Sequence, residues 1–112
     1  TIRKIAEQGP AIIVGRCSDY ILRDMENTLN VFLTSPLEVR AARIAERSGV
    51  SLEEAEKIAE EKDRKRSDYY NYYTFGNWGH ASTYDLCLDS SLLGIEGTAD
   101  FIIDFARKAG KL

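Results

Sequence analysis

Ala11-Ile12-Ile13-Val14-Gly15-Arg16 is a short apolar run that ends on a glycine and an arginine. It follows a break at Gly9-Pro10, and Ile2 to Glu7 before that break read as the end of a helix. A continuous apolar run of this length suits a strand buried on both faces, as in a parallel sheet. Leu29-Asn30-Val31-Phe32-Leu33-Thr34 is the next strand candidate. Ser35-Pro36 opens a helix, with Ser35 as N-cap and Pro36 at the first helical position. That helix runs from about Leu37 to Arg47, turns Val39, Ala42 and Ile44 to the core, and stops at Gly49. Ser51 and Glu54 form a capping box that starts a long charged helix, running at least to Arg66, with Tyr73 as its outer limit. An aromatic, glycine-bearing loop is expected from Tyr69 to His80, then a third strand over Tyr84 to Asp89. A closing helix over Ile95 to Lys108 carries Ile95, Ala99, Ile102, Ile103 and Ala106 at helical spacing.

Three apolar strands alternating with helices predict an α/β domain with a parallel sheet and flanking helices. Ligands bind such sheets beyond the carboxyl ends of the strands. Those positions are Gly15-Arg16-Cys17-Ser18, Thr34-Ser35 and Asp89-Ser90-Ser91.

The 112 residues fit one domain. A hydrophobic fraction of 44% and a charged fraction of 29% exclude a disordered or collagenous chain. The net charge of −3 disfavours non-specific nucleic-acid binding, which needs a basic face. No apolar run approaches the roughly 20 residues of a membrane-spanning helix, so no membrane partner is expected. The N-terminus has no apolar core or cleavage site of a signal peptide. Cys17 and Cys87 have no metal-ligand spacing and read as buried free thiols of a cytoplasmic protein. No metal site is expected.

Arg16 follows a buried strand and a glycine, so its fork of donors can aim at a phosphate or carboxylate in the crevice. A surface arginine paired with an acid such as Asp19 is the plainer alternative. Lys62-Asp63-Arg64-Lys65-Arg66 is the one dense basic segment, and it leads into a loop with Gly76 and Gly79 that reads as a flap. Arginines on a flap can close over a polyphosphate and neutralise a transferring phosphoryl group. A solvated helix face is the alternative. The tyrosines at 69, 70, 72 and 73, with Phe75 and Trp78, can stack on a base or form a satellite core. His80 has no evident Ser or Cys partner and reads as structural. Residues 45–51 resemble a helix-turn-helix. The helix that follows carries Glu53, Glu54, Glu56, Glu60 and Glu61, which would repel DNA.

The stretch from Ala11 to Leu22 resembles a segment of the bacterial cytidylate-kinase-like proteins. So do Tyr69-Tyr70-Asn71-Tyr72-Tyr73-Thr74, Trp78-Gly79 and Tyr84 to Glu96, in the same order. The resemblance implies a P-loop NTPase fold of the nucleoside monophosphate kinase type. It implies transfer of the ATP γ-phosphate, with Mg²⁺, to a nucleoside monophosphate acceptor, CMP or dCMP above all. In related kinases a Gly-Arg-Asp after a strand contacts the acceptor. Here Gly15-Arg16-Cys17 stands there, so Arg16 carries over as a substrate ligand and the carboxylate is replaced by Cys17. By the same resemblance Arg43 lies near ATP, Arg64 and Arg66 bind the transferring phosphates, and Asp68 contacts the acceptor. The lid-like region covers about residues 43–80.

Family members begin with a strand and a glycine-rich phosphate loop, and this sequence contains no such loop. Residues 1–112 are therefore expected to be the C-terminal part of a single kinase-like domain, inactive alone. Self-association, rearranged strand pairing or a retained N-terminal segment is expected to make up for the missing strand. A non-catalytic nucleotide-binding or interaction module of the same fold remains the alternative.

Overall fold

The computed structural model describes residues 1–15, 17–74 and 78–112. Its elements run α1 (Ile2–Gln8), α2 (Ser18–Ile21), β1 (Val31–Thr34), α3 (Leu37–Ser48), α4 (Leu52–Thr74), a 3₁₀ turn (Ala81–Thr83), β2 (Leu86–Asp89) and α5 (Ser90–Lys108). Strands β1 and β2 pair in parallel, Val31 opposite Leu86 through Thr34 opposite Asp89. The crossover between them carries α3 and α4. The mixed α/β class with a small parallel sheet and flanking helices is as expected.

Among the described residues there are two strands, not three. The segment Ala11–Val14 is not a strand. Ile12 is 96% exposed and Val14 87% exposed, and no ladder runs beside them. An apolar run of this kind becomes a strand only when a neighbour accepts its hydrogen bonds and covers its faces. No described strand does so.

The expected helix starts and stops are mostly met, with two corrections. Ser35 is not the N-cap of α3: Pro36 holds that position, at φ −56° and ψ 147°, with no side-chain cap. The carbonyl of Pro36 accepts from the backbone N–H groups of Val39 and Arg40 at 3.1 and 3.2 Å. Ser35 is instead buried, and its carbonyl accepts from Arg40 Nε at 3.1 Å. The second correction concerns the aromatic loop, because α4 continues through Tyr69–Thr74. Tyr70 and Thr74 are buried on one face, and Tyr69 stacks on Tyr73 one turn later, with centroids 4.7 Å apart. That packing prolongs the helix through residues of modest helix propensity. Phe75 and Gly76 of the expected flap lie outside the described residues.

Gly49 ends α3 in the left-handed region, at φ 68°, with its N–H on the Ala45 carbonyl at 2.9 Å. The Ser51 hydroxyl then accepts from Glu54 N–H at 3.1 Å and opens α4. These two signals produce an antiparallel helical hairpin. Its seam is made of alanines: Ala41 is 1% exposed, Ala55 0% and Ala59 3%. Small side chains let the two axes approach closely. Ala55→Leu is therefore expected to force the helices apart and cost about 1–3 kcal/mol, read as a lower urea midpoint in the full-length protein.

Helix α5 breaks at Gly94, which has φ 73° and ψ −179°. The regular helix thus begins at Ile95, as its spacing predicts. Its apolar stripe is largely uncovered: Ile95 is 82% exposed and Ile103 42%, with Ala99 also exposed and Ile102 and Ala106 half-buried. Cys87, expected inside, is exposed too, while Cys17 is half-buried. Among the described residues no helix is long and apolar enough to cross a membrane.

Candidate functional site

The carboxyl ends of β1 and β2 lie side by side, and the Ser90 hydroxyl donates to the Thr34 carbonyl at 3.4 Å. Asp89, at the end of β2, caps α5. One of its carboxylate oxygens accepts from Ser91 Oγ at 2.6 Å and from Ser91 N–H at 2.9 Å. The Ser91 hydroxyl and then its N–H hold this carboxyl below the usual range. Asp89 therefore reads as a cap.

Helix α4 is tied to α3 and to α2 by two bonds. Near its middle, Asp63 accepts from Arg40 Nη1 at 2.5 Å, and the same guanidinium reaches the Ser35 carbonyl. Near its end, Tyr70 Oη donates to Asp19 Oδ2 at 2.6 Å. Asp19 belongs to the first turn of α2, directly after Cys17. The Arg40–Asp63 pair fixes the hairpin register. Because α3 and α4 run antiparallel, residues beyond Asp63 pass the start of α3 and the carboxyl end of β1.

This register separates the sequence-predicted residues. At about 100° per residue, Arg66 shares a face with Asp63 and Tyr70. It is exposed on a face where Ala59, Tyr70 and Thr74 are buried. Arg64, two positions away, points about 200° around the helix. It is 69% exposed and lies 3.8 Å from Glu61, on a shallow surface with Lys57 and Glu60. Asp68 is exposed and likewise about 200° from Tyr70. Arg43 is exposed beside Glu46 and Arg47. It lies about 4.5 Å along α3 from Arg40, toward Gly49 and away from the strand ends. By azimuth Arg66 lies on the held face of α4, while Arg64 and Asp68 point to its outer flank and Arg43 lies toward the far end of α3. Arg16 lies outside the described residues.

Arg40 and Asp63 had no assigned role from sequence, and the pairing of Asp19 with Tyr70 was not expected. The usable signal was Asp63 and Tyr70 at i−3 and i+4 from Arg66, which puts all three on one helical face. Asp19, the acid suggested for Arg16, accepts from Tyr70, and its expected pairing with Arg16 lies outside the described residues.

Behind this face an aromatic cluster holds the return of the chain. Phe32 of β1 meets Trp78 edge-on at 5.1 Å and Tyr84 at 4.9 Å. Asn71 Oδ1 accepts from Trp78 N–H at 3.0 Å, and Tyr84 Oη accepts from Gly79 N–H at 3.2 Å. Of the aromatic residues left open as base-stacking groups or a satellite core, Tyr70 and Trp78 are engaged within the fold, while Tyr69, Tyr72 and Tyr73 are exposed. His80 is exposed and precedes the 3₁₀ turn.

Burial, then the Cys17-to-Asp19 repulsion, pushes the Cys17 thiol up, so it is a neutral thiol at pH 7 and a poor nucleophile. Burial first and the Asp19 bond second push the Tyr70 phenol far above its usual range. The folded state therefore holds a proton that the unfolded state releases near pH 10. The contribution of Tyr70 is intact below about pH 10 and declines above it. Stability measured from pH 8 to 11 should fall more steeply in wild type than in Tyr70→Phe.

Among the described residues no three His, Cys, Asp or Glu side chains converge to hold a metal. These residues do not fit a resident metal ion, and no step is assigned to one.

A sequence model of the cytidylate kinase-like family matches residues 1–92. The chain is 37% identical over 93 residues to a cytidylate kinase of Pyrococcus horikoshii, covering 82% of this chain and 47% of that protein. It is 33% identical over 97 residues to a cytidylate kinase of Methanopyrus kandleri, covering 80% and 50%. A crystal structure of an uncharacterized protein from Eubacterium ventriosum superposes with a TM-score of 0.86 at 32% identity, over 96% of this chain and 61% of that one. The chain thus spans about half the length of the curated relatives it matches. A match over most of its residues, supported by a similar solved structure, places this chain in the cytidylate kinase-like family.

Proposed function

We propose that the full-length protein is a cytoplasmic nucleoside monophosphate kinase of the P-loop NTPase type, moving the γ-phosphate of ATP to CMP or dCMP. The observation that supports this reading is Arg66, an exposed cation on the packed face of α4, in the stretch that the Arg40–Asp63 register directs past the start of α3 toward the carboxyl-end side of the sheet. In open α/β sheets that is where ligands bind. Phosphoryl transfer requires positioning and charge neutralisation rather than a nucleophilic side chain. A guanidinium suits the equatorial oxygens of the transferring group. Arg64 adds positive potential from the outer flank, Arg43 serves the donor nucleotide from α3, and Arg16 with Asp68 serves the acceptor. Mg²⁺ arrives on the nucleotide phosphates.

Coupled ADP release by the full-length protein with CMP, dCMP and UMP tests this reading. Turnover that depends on the monophosphate is the expected result. ADP release that stays at background with all three would remove it and favour the non-catalytic module, the reading that Cys17 in place of a carboxylate supports.

A further inference from the structure

Arg66 lies between two fixed points on the same face of α4. Asp63 is three residues before it and Tyr70 four residues after it, a span of about 10 Å along the axis. Each is half-buried or buried, and each is bonded to a different part of the body. Arg40 grips Asp63 at 2.5 Å and also holds the Ser35 carbonyl, so this mount reaches the end of β1. Asp19 accepts from Tyr70 at 2.6 Å, so the second mount reaches the turn that follows Gly15-Arg16-Cys17. Below Tyr70, the Thr74 hydroxyl donates to the Tyr70 carbonyl at 2.6 Å, which stiffens the last turn.

A helix end held at one point can swing. Held at two points about two turns apart, it has a fixed azimuth, and the residue between the points inherits it. The long, flexible side chain of an arginine gains most from this, because its stem then starts from a defined place. We infer that the Arg40–Asp63 and Asp19–Tyr70 bonds are a two-point mount that fixes the azimuth of α4 and with it the direction in which Arg66 projects. Asp19 and Tyr70 also join the acceptor-side turn to the lid helix, so movement of one is passed to the other. The inference rests on the phosphate-binding role proposed for Arg66. The residues of the mount are positioning residues; none of them need touch substrate.

Two measurements on the full-length protein separate the mount from the activity. The first is hydrogen exchange: Tyr70→Phe should raise the exchange rate of amides 66–74 at least tenfold and leave α3 unchanged. Unchanged exchange there would overturn the mount. The second is a double-mutant cycle. Tyr70→Phe should lower kcat about tenfold, change KM for CMP less than twofold, and have under a twofold effect in the Arg66→Ala background. Equal losses in both backgrounds would show that Tyr70 does not act through Arg66. Asp19→Asn, which keeps an acceptor for the phenol, should retain most of the turnover that Asp19→Ala loses. Should Tyr70→Phe loosen the whole fold, Asp63→Asn at the other mount takes its place in the same cycle. Wild-type protein without CMP-dependent turnover would remove the kinase reading alone, and the exchange measurement then decides the mount by itself.

Discussion

Replacing Arg66 with alanine is expected to lower the kcat of the full-length protein by about 10²–10³, the cost of removing one preorganised donor from a transition state. The reason is positional. Arg66 is an exposed cation on the face of α4 that Asp63 and Tyr70 hold against the body. Arg64 lies on the other flank, 69% exposed and within 3.8 Å of Glu61. A surface pair of that kind is screened by water and salt, so Arg64→Ala should cost less than tenfold. Circular dichroism should show both variants folded, because neither side chain is buried. Steady-state kinetics with saturating ATP and CMP makes the comparison. Equal, small losses for both would mean that the basic segment is only a solvated helix face.

The 112-residue chain on its own is expected to associate and to show no phosphotransfer. Strands β1 and β2 pair only with each other among the described residues, leaving one open edge on each. The apolar run that should lie in the sheet is bare, with Ile12 96% and Val14 87% exposed, and Leu33 of β1 is 50% exposed. Helix α5 adds Leu92 at 77% and Ile95 at 82%. Open edges and apolar surface together favour contact between chains. Burial of this surface stabilises contact by about 25 cal/mol per Å². Light scattering should report at least twice the 12.6 kDa mass of one chain. A cooperatively unfolding monomer at that mass would show that the sheet is complete as it stands. Phosphotransfer should be absent because the sequence has no glycine-rich loop to cradle the β- and γ-phosphates. ADP release by the isolated chain above background would contradict this.

Local chemistry made several elements legible without a structure. Gly49 ends α3 because few residues accept a positive φ, and Ser51 starts α4 because its hydroxyl satisfies an orphan N–H. The same holds for the helix from Ile95 and for the strand ending at Thr34. The family was legible in ordered segments such as 11–22 and 84–96. Tertiary structure decided the rest. Whether Ala11–Val14 becomes a strand depends on a neighbour beside it, because half of a strand's hydrogen bonds belong to another segment. Whether Tyr69–Thr74 is loop or helix depended on the burial of Tyr70 and Thr74, which outweighs weak propensity. The choice between Arg64 and Arg66 needed the direction from which α4 is held. Two arginines two positions apart are equivalent in composition and opposite in azimuth, and Arg40 and Asp19, far away in the chain, select which one shares the held face of α4.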